Sequence, residues 1–187
     1  MRRTRKATIV VALASIMLAV TTGAAGAATP SAGKAAVCAS NWGSLLKSAP
    51  NPHTAPLKNI RTGRHDCYDR IVFDVPAATG NVGYHVGYVD AFYQDASGKR
   101  IAVGGGAILE IYVSAPSHDA DYRPTYPARA AKPLPGVDLA GYKTFRDAKF
   151  GASYEGQTQV GLGVRARLPF RVLQLDDRLV VDVAHTW

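Results

Sequence analysis

From Leu57 onward the chain alternates apolar and polar residues with a period of two, and no stretch beyond Lys47 carries a helical period. Ile71, Phe73 and Val75 interleave with Arg70, Val72 and Asp74, the pattern of a half-buried strand. Tyr84, Val86 and Tyr88 alternate with His85, Gly87 and Val89. Leu109, Ile111 and Val113 mark one face of Ala107–Val113. Val160, Leu162 and Val164 interleave with Gln159, Gly161 and Gly163, and Pro169–Leu175 and Arg178–Val183 read as two strands around Asp176-Asp177. Asp95–Lys99 reads as a hairpin turn into Ile101–Val103. Gly104-Gly105-Gly106 lacks the strand-to-helix setting of a phosphate loop and reads as a bulge or bend. Alternating side chains stand on opposite faces of a strand, so these runs predict an all-β domain.

Three segments fall outside that pattern. Asn41–Lys47 predicts a short helical turn, with Trp42, Leu45 and Leu46 as its apolar edge. Ala49–Pro56 holds three prolines and cannot be regular. Ser114–Gly136 carries five prolines and is long for a loop. The first expectation for it is a crossing between two sheets, and the second is a contact surface built on Tyr122, Arg123, Tyr126 and Arg129.

The first residues predict export. Arg2, Arg3, Arg5 and Lys6 precede an apolar run over Ala7–Val20, and Ala25-Gly26-Ala27 has the small-residue spacing of a cleavage site. The expected organisation is a signal peptide over 1–27, a linker over 28–41 and one β domain over 42–187. Four of the 22 basic residues and none of the 14 acidic ones lie in the first 27, so cleavage lowers the net charge from +8 to +4. A charge of that size does not call for nucleic acid, but it suits a polyanionic surface such as a bacterial wall. Cys38 and Cys67 are the two cysteines, and an even count in an exported chain predicts a disulfide. It would close a loop of about 30 residues, worth about 3–4 kcal/mol by chain entropy.

One heptad occurs twice. Asp69-Arg70-Ile71-Val72-Phe73-Asp74-Val75 matches Asp177-Arg178-Leu179-Val180-Val181-Asp182-Val183 at five positions and is apolar at the other two. The expectation is two equivalent strands heading two related half-sheets. Direct antiparallel pairing is the other arrangement, with Val72 opposite Val180 and Arg70 opposite Asp182.

The doubled Arg-x-Val-x-Asp-Val strand resembles the AMIN domain. The fuller series of short motifs resembles the AMIN-like domain of secreted proteins from high-GC Gram-positive bacteria. The matching stretches are Trp42-Gly43-Ser44, Gly63–Arg70, Glu155-Gly156, Pro169–Val172 and Arg178–Val183. The resemblance implies a β-sandwich acting as a non-catalytic envelope module, by association with peptidoglycan or another wall polymer. The expected location is outside the cell, free or on the wall, with no cofactor and no attachment to the membrane once the signal is removed.

A search of the residues for chemistry finds no nucleophile motif, because Gly151-Ala152-Ser153 lacks the closing glycine. The five histidines are scattered and form no metal motif. His65 beside Asp66, and Glu155 with Asp147, are weak acid–base candidates, so a wall hydrolase is the least favoured reading. The densest polar run is Arg61–Arg70. Arg61, Arg64, His65, Asp69 and Arg70 form the candidate ligand site, since guanidinium forks bind carboxylates and sugar hydroxyls. Tyr84, Tyr88, Tyr93, Tyr112 and Tyr154 could stack on sugar rings or fill the core. The alternative function is an exported inhibitor or protein-binding module that uses the Pro-rich segment 114–136.

Overall fold

A computed structural model describes Cys38, residues 41–50 and residues 55–187. The expected signal, its cleavage site and all but Cys38 and Asn41 of the expected linker lie outside the described residues. Within them the chain is all-β.

The strands are β1 (Lys47–Ala49), β2 (Asn59–Arg64), β3 (Tyr68–Asp74), β4 (Tyr84–Val89), β5 (Phe92–Tyr93) and β6 (Arg100–Ile101). They continue as β7 (Ala107–Val113), β8 (Phe145–Tyr154), β9 (Gln157–Val164), β10 (Phe170–Leu175) and β11 (Arg178–Ala184). One sheet has the order β1-β4-β7-β9-β8, the second β10-β11-β3-β2, and β5-β6 is a separate hairpin. All neighbours run antiparallel.

The alternation decides what each sheet buries. Ile71, Phe73, Leu179, Val181 and Val183 from the second sheet meet Val86, Leu109, Ile111, Val160 and Leu162 from the first, in one continuous core. Each such side chain, fully buried, contributes about 1.5–3 kcal/mol. This is the β-sandwich that the resemblance implied.

The two echoing strands are direct neighbours. β11 pairs with β3 so that Val180 faces Val72, Asp182 faces Arg70 and Arg178 faces Asp74. They lie in one sheet, which corrects the expectation of two related half-sheets. The shared face fits the echo: a Val–Val row lies between two rows of opposite charge, of which Arg70–Asp182 forms a cross-strand ion pair, while Arg178 turns to Asp177 and Asp74 is held by Arg61.

Two further expectations are corrected. Asn41–Lys47 is not a helical turn. The Gly43 carbonyl accepts from Phe170 N at 2.9 Å, the chain bends at Ser44 and Leu45, and Lys47 begins a strand against β4, so the backbone follows two tertiary partners instead of closing a helical turn. Nor does Ser114–Gly136 cross between sheets. β7 and β8 belong to the same sheet, with β9 between them, and the connection returns to that sheet's far edge. It buries Ala115, Tyr126 and Leu134 in the core, and its backbone pairs with β8 through Ala131 N to the Phe150 carbonyl and Phe150 N to the Lys132 carbonyl.

The β5–β6 hairpin lies over the outer face of the first sheet. Phe92 is fully buried there. A Cβ on Gly161 of β9 would lie 2.7 Å from the Phe92 ring and one on Gly151 of β8 2.8 Å from it, so these two glycines form the seat for that ring. Beside it, Gln159 Nε2 donates to the Tyr93 carbonyl, and Gln159 Oε1 accepts from Asp95 N at 2.9 Å. The glycine run acts as the bend its sequence suggested: Gly106 N bonds the Val164 carbonyl, and Gly105 has φ 129°.

Candidate functional site

The candidate residues lie where β2 turns into β3. Arg64 and Asp69 are register partners, and directly opposed residues in a ladder share a face. The turn between them closes through His65 N donating to the Tyr68 carbonyl at 3.0 Å. Cys67 within it is bonded to Cys38, as expected.

Asp69 is buried and fully engaged. Its Oδ2 accepts from the backbone N–H groups of Thr144 (2.5 Å) and Phe145 (3.2 Å), and its Oδ1 lies 3.1 Å from His185 Nε2. His185 Nδ1 lies 3.1 Å from the Asp66 carbonyl, and His185 N donates to the Cys67 carbonyl. The carboxylate therefore ties β3 to the start of β8 and to the end of β11. A buried carboxylate needs this many partners to offset its desolvation.

Above this floor is a cleft of about 250 Å³ lined by Arg64, His65, Asp66, Asp69, Gly141 and Lys143. Three of the sequence-predicted residues, Arg64, His65 and Asp69, meet there. Lys143 joins them from the long connection before β8, its Nζ 3.5 Å from the Asp66 carbonyl.

Arg61 and Arg70 do not join them. They alternate onto the outer face of the second sheet. Arg61 makes a two-pronged pair with Asp74, with Nε–Oδ2 2.9 Å and Nη2–Oδ1 3.1 Å. Arg70 and Arg171 both grip Asp182, whose side chain is 0% exposed, at 2.6 Å and 2.8 Å. These bonds raise the proton affinity of the Arg70 guanidinium. Arg171 also lies 4.3 Å over the Trp42 ring and 5.3 Å over Tyr68, while His65 stacks on Tyr68 at 4.4 Å.

The same end of the sandwich carries further cations. Arg146 donates to the carbonyls of Tyr142, Lys143 and Phe145, and Arg165 donates to that of His185. Among the described residues, Arg64, Lys143, Arg146 and Arg165 have no carboxylate partner, and neither have Lys47, Lys58, Lys99, Arg100, Arg129, Lys132 and Arg167, whereas Arg61, Arg70, Arg123, Lys149, Arg171 and Arg178 each have one. Sequence reasoning missed Lys143, Gly141 and His185. Lys143 and Gly141 line the cleft and His185 backs Asp69 beneath it; Lys143 and His185 lie 77 and 119 residues beyond Asp66, and no local motif marks them.

The tyrosines divide as well. Tyr126 is buried, while Tyr122 is 81% exposed on the Pro-rich connection. Tyr122 has φ 60°, its N–H donates to the Asp119 carbonyl, and its ring stacks on His118 at 5.0 Å.

The fold and the site together define a disulfide-stapled antiparallel β-sandwich with a cationic cleft at one end. Within that class the chain belongs to the AMIN-like domain family, whose model matches residues 55–185. Neither the curated proteins nor the solved structures give a significant match to it.

Proposed function

We propose that this protein is an exported, non-catalytic module of the cell envelope that associates with a wall polymer, peptidoglycan or another anionic glycan, through the cationic cleft. The observation that carries this reading is the gathering of Arg64, Lys143, Arg146 and Arg165 at one end of the domain without carboxylate partners among the described residues. A cation already paired within the fold adds little field outside it, whereas an unpaired group attracts a polyanion. The family match and the disulfide support a place outside a reducing cytosol. In support of a non-catalytic role, His185 lies behind Asp69, is not exposed in the cleft, and has both ring nitrogens within 3.1 Å of oxygens of Asp66 and Asp69, so it faces the fold rather than a substrate.

Co-sedimentation with purified wall sacculi tests this. Retention is expected at low salt and should fall as ionic strength rises, since exposed charges are screened over about 8–10 Å near physiological salt. Arg64→Ala combined with Lys143→Ala should lower retention without unfolding the domain, because both side chains are exposed. Release of soluble wall fragments would overturn the non-catalytic reading. A second reading, a protein partner docking on the Pro-rich connection, is favoured by Tyr122: an exposed aromatic held in a left-handed conformation by its own turn is a preorganised contact. Loss of partner binding in Tyr122→Ala, with wall retention unchanged, would separate the two.

A further inference from the structure

We propose that the cleft recognises an acidic sugar, a pyranose bearing a carboxylate or phosphate, with the acid between Arg64 and Lys143 and the ring against His65. The proposal rests on the reading of this domain as a wall-polymer module and gives the chemistry of the unit it grips.

The acid half follows from how the charges are held. Arg64 Nη1 lies 2.9 Å from where a Cβ on Gly141 would stand, so the guanidinium rests against that backbone and any larger residue would displace it. Lys143 is exposed, and the one polar contact of its ammonium among the described residues is the long 3.5 Å approach to the Asp66 carbonyl. Asp69 lines the same cleft, but its oxygens are taken by two backbone amides and His185, so it offers an incoming anion a saturated acceptor. Asp66 is the one exposed acid there, against two cations. An oxyanion set between an arginine fork and an ammonium gains charge-assisted hydrogen bonds, about twice as strong as neutral ones.

The ring half follows from His65. Its imidazole is exposed and lines the cleft, and it lies on Tyr68 with 23° between the planes. Tyr68 is braced in turn by the edge of Trp42 at 5.7 Å. One face of His65 is thus fixed by a packed stack, which leaves a flat, low-entropy surface beside the cations. The apolar C–H face of a pyranose packs on such a surface. At about 250 Å³ the cleft lies just below the usual range for drug-sized ligands, about 300–1,000 Å³, which suits a single saccharide unit rather than an oligomer. A bare anion would use only the cations and a neutral sugar only the imidazole.

The test is an amide NMR titration with four probes: N-acetylmuramic acid, glucose 6-phosphate, N-acetylglucosamine and inorganic phosphate. The two acidic sugars should shift the amides of Arg64, His65, Gly141 and Lys143 and bind about tenfold more tightly than the neutral sugar or phosphate, a difference of about 1.4 kcal/mol. Comparing the acidic sugars with each other tells a carboxylate source from a phosphate source. Arg64→Gln should bring the acidic sugars down to the level of N-acetylglucosamine, and His65→Ala should bring them down to that of phosphate. Equal binding of N-acetylglucosamine and N-acetylmuramic acid would overturn the proposal, as would phosphate matching glucose 6-phosphate. Sacculi retention measured on the same samples separates the two readings. Retention with no probe entering the cleft refutes the acidic sugar and leaves the wall association standing. Probe binding without retention supports the cleft's ligand class and removes the wall as its source.

Discussion

Tyr88 reaches from β4 to the chain just before β10, where its hydroxyl donates to the Leu168 carbonyl at 2.8 Å and accepts from Leu168 N at 3.0 Å. Burial pushes this phenol up to about 12, and burial together with the nearby Glu110 charge takes Tyr112 to about 12 as well. Tyr126, which donates to the Pro135 carbonyl, is also pushed up by burial. A phenol becomes charged by losing its proton, so the folded state keeps protons that an unfolded tyrosine gives up near about pH 10. The stability these groups contribute is complete below that pH and is lost as pH rises from about 10 through about 12. Denaturant midpoints measured from pH 7 to 12 should stay level and then fall across that window. Tyr88→Phe should flatten part of the alkaline fall while costing about 1 kcal/mol at neutral pH, because Leu168 loses its partner. A midpoint that is unchanged up to pH 12 would show that these phenols are not protected by the fold.

At the scale of elements, β9 faces the core on one side and the β5–β6 hairpin on the other. Gly161→Ala should destabilise the domain by about 1–3 kcal/mol, as overpacking does, because its methyl group meets the Phe92 ring. Phe92→Ala in the same chain should remove most of that increment, so the pair should be far from additive in denaturant melts. Strict additivity would mean that the ring does not rest on β9. The strand itself was legible from Val160, Leu162 and Val164, but the reason for its glycines was not, because the ring over Gly161 comes from about 70 residues earlier and the backbone against Gly163 belongs to Gly104. β8 went unread for a different reason. Its register shifts between Phe145 and Asp147 and between Phe150 and Ala152, so its inward residues Phe145, Ala148 and Phe150 lose the even spacing that marks a strand. The echoing heptads carried more than local information: their charge order contained the register of β3 against β11. The expected turn at Asn41–Lys47 failed because Trp42, Leu45 and Leu46 do have helix-like spacing, and the non-helical path is imposed by tertiary partners on β4 and β10.

Over the whole molecule, Cys38 and residues 41–49 act as a strap between the sheets. It is bonded to the second sheet at Cys67 and through Gly43 to Phe170, lays Trp42 on Arg171, and ends as β1 on the edge of the first sheet. Its inner end also touches the site, since the Cys38 carbonyl accepts from Thr186 Oγ1 next to His185. The sequence placed Arg64, His65 and Asp69 together because a hairpin turn joins them, and it could not place Lys143, Gly141 or His185, which only the packing of two sheets brings to the same end. The disulfide closes a sequence separation of 29, for which loop closure predicts about 3–4 kcal/mol. Replacing both cysteines by alanine should lower the unfolding free energy by about that amount in denaturant melts. The strap should then be lost before the sandwich. Its remaining ties include the hydrogen bonds from Phe170 N and Thr186 Oγ1, the three-residue β1 and the Trp42 stack, which is little to hold an edge segment once the covalent link is gone. Trypsin under native conditions should cut after Lys47 in the cysteine-free chain while the remainder stays folded, because a protease needs the bond freed from β4. If Lys47 stays resistant until the whole domain melts, the strap is held by packing rather than by the disulfide.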